Sequence, residues 1–412
     1  MILKSALICG NREFFLILCI MKKYDFDKVI DRHGSGAIKY DDLQVTFGSE
    51  DLIPMWIADM DFEVCEEITN ALKSRISHPI FGYSSPRDSY WNSIIEWLDH
   101  RHGFKVNRDE MTYIPGVVKG IGYAINFFSK PGDKVVIQPP VYHPFRLVTE
   151  GNDRVVLPNP LIKTDDSYRM DLEGLEKLVK EEKPKLMILC NPHNPVGIQW
   201  DHHTLSEVAR IAAENGMVVV SDEIHGDLML EGRVHIPFLE VSDDARKVGI
   251  MFGAPSKTFN IPGMVSSWCV VKNPELRKPF FHWLDVNEFN APTFTATIAT
   301  EAAYRNGEQW LEEALDYITE NINFTEAYLK ENLPVISIVR PRASFLVWLD
   351  CNGLGLTQEQ LVKMFLNKAH LALNDGSMFG KEGTGYMRLN VACPRSVLKD
   401  ALDHLAAAVA NK

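Results

Sequence analysis

Val248-Gly249-Ile250-Met251-Phe252-Gly253-Ala254-Pro255-Ser256-Lys257-Thr258-Phe259-Asn260 begins as a continuous apolar run and ends in a polar turn that carries a lysine. A run of this kind suits a strand buried on both faces of a largely parallel sheet. Three more precede it: Val135-Val136-Ile137, Leu186-Met187-Ile188-Leu189 and Met217-Val218-Val219-Val220. Helix-like segments lie between them. From Leu205 to Glu214, for example, Leu205, Val208, Ala209 and Ala212 share one face and Asn215-Gly216 closes the segment. The alternation predicts an α/β domain with a mostly parallel central sheet sandwiched by helices.

At 412 residues the chain exceeds the usual size of one core, so two domains are expected. The C-terminal part reads differently from the middle. It has a long helix from about Glu308 to Glu331, a strand at Phe345–Leu349, a helix from about Gln358 to His370, the segment around Arg388, and a last helix from about Val397. These describe a smaller α+β domain. The expected division is a large domain over 66–305 and a small domain over 306–412, with residues 21–65 packing on the latter.

Hydrophobic residues make up 46% of the chain, enough for a large core. The net charge of −12 argues against a nucleic-acid or anionic-membrane partner, both of which demand a basic face. The 7 cysteines are scattered without a C-x-x-C pair, so neither a disulfide framework nor a metal site is expected, and a cytoplasmic location fits. The apolar run Phe14–Ile20 is too short to span a bilayer. Met21 is expected to be the natural start, with residues 1–20 an extension foreign to the protein; a cryptic signal or anchor is the alternative.

In an open α/β sheet ligands bind at the carboxyl ends of the strands, where three motifs fall together. Lys257 leaves its strand beside Ser256 in apolar surroundings, which favour the neutral, nucleophilic amine. It is placed to form a Schiff base with an aldehyde cofactor, although most lysines are solvated surface charges. Ser221-Asp222-Glu223-Ile224-His225 puts a carboxylate at the end of a buried strand, where it needs a partner. A protonated pyridine nitrogen would serve Asp222, and a helix cap is the ordinary alternative. His225 either touches the cofactor's phenolic oxygen or is a packed core histidine. Asn191-Pro192-His193-Asn194-Pro195-Val196-Gly197 makes a rigid turn from which Asn194 can donate to that oxygen, or is a plain turn.

Pro115-Gly116-Val117-Val118 precedes a helical pattern, so the free N–H groups at its start can hold phosphate. Tyr142 follows the Val135–Ile137 strand and could stack on a ring, or sit in the core. Arg388 offers a planar fork for a substrate carboxylate, or makes a structural ion pair. Together these features point to pyridoxal 5′-phosphate.

The set resembles the fold type I pyridoxal-phosphate enzymes of the aminotransferase superfamily, and within them the MalY/PatB group of cystathionine β-lyases, or C–S lyases. The stretches Pro54–Phe62, Ser221–His225 and Ser256–Gly263 carry the resemblance, which runs from Met21 over nearly the whole chain. It implies that Lys257 is the Schiff-base lysine and proton carrier, Asp222 the partner of the pyridine nitrogen, and Asn194 the donor to the phenolic oxygen. It also implies Tyr142 on the ring, Val117, Val118 and Ser256 on the phosphate, and Arg388 on the substrate carboxylate. Tyr83 would reach the phosphate from the neighbouring subunit of a homodimer. Val265 stands where the wider aminotransferase pattern carries a phosphate-binding arginine, and His225 where it often carries tyrosine; both favour the lyase group. The implied reaction is β-elimination from cystathionine, cysteine or an S-substituted cysteine. The alternatives are an aminotransferase, and a lyase-like protein acting through regulatory contacts.

Overall fold

The computed structural model describes residues 24–410; the expectations for residues 1–20 and for a start at Met21 lie outside the described residues. Seven strands form the central sheet: β1 (Met111–Ile114), β2 (Lys134–Ile137), β3 (Val155–Pro158), β4 (Leu186–Cys190), β5 (Val218–Asp222), β6 (Gly249–Gly253) and β7 (Ser267–Val270). Across the sheet they run β1-β7-β6-β5-β4-β2-β3. β7 is antiparallel to both neighbours, and the remaining pairs are parallel.

The continuous apolar runs are explained by cover on both faces. Successive residues of a strand point to opposite sides. Thus Met187, Leu189, Val219 and Met251 join one core cluster, while Leu186, Ile188, Val220 and Ile250 join the other. Helix α1 (Val117–Phe128) packs Ile121, Ala124 and Ile125 into the second cluster. Gly120 lets it lie close, because a Cβ there would come within 2.8 Å of Ile114 and Phe252. Helix α2 (His202–Asn215) covers the opposite face with Leu205, Val208, Ala209 and Ala212. The Asp201 side chain accepts from the Thr204 N–H, so α2 starts before Leu205, and Gly216 at φ 65 ends it.

A second sheet follows: β8 (Ser337–Val339), β9 (Leu346–Asp350), β10 (Asn374–Asp375) and β11 (Tyr386–Asn390), antiparallel in the order β8-β9-β11-β10. Helices α3 (Glu308–Asn332) and α4 (Arg395–Ala410) pack against each other beside it. The helix that starts at Gln358 ends at Asn367, short of His370, because Leu371–Ala372 pairs in parallel with Ile53–Pro54. Beyond that pair the chain runs beside β11: Asn390 N–H donates to Met55 O at 3.0 Å, and Asp61 N–H to Ala392 O at 2.9 Å. Among the described residues no helix is long and apolar enough to cross a membrane.

Candidate active site

A cavity of about 280 Å³ opens at the carboxyl ends of β4, β5 and β6. Its wall includes Val117, Val118, Tyr142, Asn194, Asp222, His225, Ser256 and Lys257. Residues from five separate stretches of sequence are therefore brought to one place. Arg388, on β11, lies just behind that wall and donates from Nη1 to Asn194 Oδ1 at 3.1 Å. Tyr83 is elsewhere: it is fully exposed in a stretch without regular structure, and does not reach the cavity of its own chain.

Asp222 is the last residue of β5. Its carboxylate accepts the Ile224 N–H at 3.1 Å and is otherwise deprived of water. Burial pushes its pKa up to about 7, since a charge there has too little solvation. Lys257 follows β6 in a single helical turn, Pro255–Thr258, and its amine donates to the Ala58 carbonyl. Withdrawal from water lowers it to about 8, with Asp59 and Asp222 opposing that shift and Arg388 adding to it. His225 is buried, and its Nδ1 has no protein partner among the described residues. Burial lowers it to about 3, so its imidazole is neutral.

At the opposite wall α1 begins at Val117 behind Gly116, with no side-chain cap. The first-turn N–H groups of this 12-residue helix face the cavity rim formed by Pro115, Gly116, Val117 and Val118. Gly116 has φ 106, a conformation that any side chain would strain. Ser256 adds a hydroxyl to the same cavity. A helix start of this kind would suit a phosphate-sized anion.

Arg388 is 3% exposed, yet among the described residues no carboxylate pairs with it. Its hydrogen bonds go to neutral oxygens, Asn194 Oδ1, Trp56 O at 3.0 Å and Asn374 Oδ1 at 2.6 Å, its guanidinium lies 5.0 Å from the Phe379 ring centroid, and its Nε has no hydrogen-bond partner among the described residues. Burial lowers it to about 10, which leaves it charged. A buried, uncompensated guanidinium calls for an anion. It also orients Asn194: arginine can only donate, so the amide oxygen faces Arg388 and the NH2 is the arm left for a ligand.

A flat ring bearing a cationic nitrogen, an aldehyde and a phosphate matches these groups. Asp222 would meet the nitrogen, Lys257 the aldehyde, and the start of α1 with Ser256 the phosphate. Residues 50–405 match the family described as aminotransferase class I and II. The chain belongs to that family.

Within the aminotransferase class I and II family its relatives narrow the comparison. The chain is 42% identical to cystathionine β-lyase PatB of Bacillus subtilis (strain 168) over 385 residues, covering 93% of this chain and 100% of the relative. Cystalysin from Treponema denticola, whose crystal structure contains a pyridoxal 5′-phosphate cofactor, superposes with a TM-score of 0.91 at 31% identity, over 94% of this chain and 99% of that one. The PLP-bound C–S lyase from Staphylococcus hominis gives a TM-score of 0.87 at 31% identity, over 94% and 98% of the two chains. The fold is thus the type I fold of these pyridoxal-phosphate enzymes.

Some residues of this family member escaped the sequence reading. Ala58, Cys190, Ser266 and Ser267 line the cavity, and Asn374 holds Arg388. Val265 lines it too, in the left-handed region at φ 54, where a β-branched side chain is strained. The Tyr113 hydroxyl donates to its carbonyl at 2.6 Å and keeps it there. The Pro54–Phe62 stretch was quoted for the resemblance without a role; it proves to be the segment whose carbonyls meet both Lys257 and Arg388.

Proposed function

We propose that this chain is a carbon–sulfur lyase that uses pyridoxal 5′-phosphate to eliminate a thiol from the β-carbon of a cysteine-type amino acid. The observation that carries it is the meeting at one cavity of Lys257, whose amine pKa burial lowers to about 8, and, just behind the wall, a buried Arg388 that pairs with no carboxylate among the described residues. Bound there, the cofactor supplies an electron sink for negative charge at the substrate's Cα. The chain's own residues do the rest. Arg388 takes the α-carboxylate with its fork and fixes the substrate's orientation. The Lys257 amine, once free, removes the Cα proton. Asp222 would stay ionised by pairing with the ring nitrogen, and in doing so would keep that nitrogen protonated. Neutral His225 and the Asn194 NH2 would serve the ring oxygen, and Tyr142 would pack on the ring. Overall, R–S–CH2–CH(NH3+)–COO− and water give a thiol, pyruvate and ammonium.

The names of the relatives support elimination over transamination, as does Val265 in place of a second phosphate-binding cation. Cystathionine, cysteine and S-alkyl cysteines are the candidate substrates. The test is Lys257→Ala: the visible absorbance of the bound cofactor and the release of thiol are both expected to vanish. Thiol release at the wild-type rate in that variant would overturn the assignment.

The same reading places the protein in a homodimer, with Tyr83 reaching the partner's phosphate site. The exposed Ile76, Ile80, Phe81 and Tyr83 support it, and the mass of the assembly in solution tests it. A reducing, cytoplasmic setting is in keeping with the five described cysteines, none of which is in a disulfide; recovery of the protein in an oxidising compartment would contradict it.

A further inference from the structure

We propose that Asn390 is a positioning residue: its carboxamide sets the register of the segment Trp56–Met60, and through that segment the places of Lys257 and Arg388. The segment bends over residues 57–59, and its successive carbonyls alternate between two sets of partners. The carbonyls of Trp56 and Ala58 face the site, where they accept from Arg388 Nη2 and from the Lys257 amine. The carbonyls between and beyond them, of Ile57 and Asp59, are both taken by Asn390 Nδ2, at 2.7 and 2.6 Å. Asn390 Oδ1 accepts the Ala392 N–H at 2.8 Å, which fixes the amide so that its NH2 faces the segment.

Asn390 is 1% exposed and does not line the cavity, so it acts only through the segment. The far end is pinned separately. Asn260 receives the Met60 N–H at 2.9 Å and donates to Met60 O and Phe62 O at 2.9 and 3.0 Å. The side chain of Asp59 is tied to Arg32 at 2.7 Å, and Asp61 to Lys39 at 2.7 Å. With Asn390 gone, two carbonyls would lose their donor, and the segment would be free to slip and admit water to the Lys257 amine.

The test rests on Lys257 being the cofactor lysine, and reads how readily the cofactor adds to it. Asp59 from the segment, Asp222 from β5, His225 from the loop after β5 and Arg388 from β11 face that amine. A lysine adds to an aldehyde only as the neutral amine, and the neutral fraction grows as pH rises through the pKa. The full-length wild-type chain, stripped of cofactor and mixed with pyridoxal 5′-phosphate, should therefore gain its visible band at a rate whose pH profile has its midpoint near pH 8. In Asn390→Ala the amine becomes hydrated and the midpoint should rise by about one unit or more, towards the ordinary lysine value. Asn390→Asp keeps the Ala392 bond but turns an oxygen on both carbonyls, and should shift at least as far. Asn260→Gly removes the three bonds at the other end without straining the φ of 55, and should shift in the same direction.

Melting temperatures measured alongside separate positioning from mere stability. A folded Asn390→Ala that keeps the wild-type midpoint overturns the proposal, even if it melts earlier. Should Asn390→Ala fail to fold, Asn390→Asp decides by the same criterion. A wild-type chain that gains no visible band at any pH would instead overturn the cofactor reading.

Discussion

Burial acts against charge at Lys257 and at Asp222, lowering the first to about 8 and raising the second to about 7. Each is costly as an ion in the protein alone, and each is suited to a cofactor that brings an aldehyde to one and a cationic nitrogen to the other. Arg388 differs, since it stays charged, and on the proposed reading its anion would come from the substrate. Removing one partner of a buried charge-assisted contact costs about 2–4 kcal/mol. Arg388→Ala should therefore lower kcat/KM by about 30- to 1,000-fold, with most of the change in KM. Arg388→Lys should recover little of it, because lysine lacks the two-pronged fork. Steady-state kinetics on one thioether substrate check this; an unchanged KM in Arg388→Ala would remove Arg388 from carboxylate binding.

The turn that carries Lys257 is anchored by its neighbour. Thr258 Oγ1 donates to Asp227 Oδ2 at 2.8 Å, and the other oxygen of Asp227 accepts from Trp97 Nε1 at 2.9 Å and pairs with His102 at 2.8 Å. Burial works to raise Asp227, but His102, Arg101 and Trp97 outweigh it and hold the carboxyl at about 2. Asp227→Ala would leave these donors unsatisfied in the interior. It should cost about 3–5 kcal/mol of stability, read from urea unfolding of the holoenzyme; a loss below about 1 kcal/mol, the worth of a single ordinary hydrogen bond, would show that the anchor is not needed.

Elements of this kind were unequally legible in the sequence. β4, β5 and β6 could be read because cover on both faces demands an unbroken apolar run, and Asp222 and Lys257 stood out as polar residues at the ends of such runs. The Trp56–Met60 segment could not, because its order comes from contacts and not from pattern. Asn260 reaches Met60 across 200 residues, and Asn390 reaches Ile57 across 333. Nothing local to those asparagines distinguishes them from turn formers. The end of the Gln358 helix was misjudged for a related reason, since pairing with the distant Ile53–Pro54 takes the chain into a strand.

At the scale of the whole molecule the site exists because two sheets meet. The central sheet delivers Asn194, Asp222 and Lys257 at or just beyond the ends of neighbouring parallel strands. The second sheet swings Arg388 on β11 against Asn194, and the segment beside β11 closes the gap between them. On the proposed reading an amino acid would be gripped from one sheet while its Cα faces the lysine delivered by the other. Elimination and transamination share this arrangement up to the removal of the Cα proton, and they part in what leaves the enzyme. The most direct measurement is therefore product stoichiometry when the holoenzyme is given cystathionine together with a keto acid. The account predicts thiol and pyruvate released in equal amounts, turnover after turnover, whether or not the keto acid is present. Amino-group transfer to the keto acid with no thiol released would contradict it.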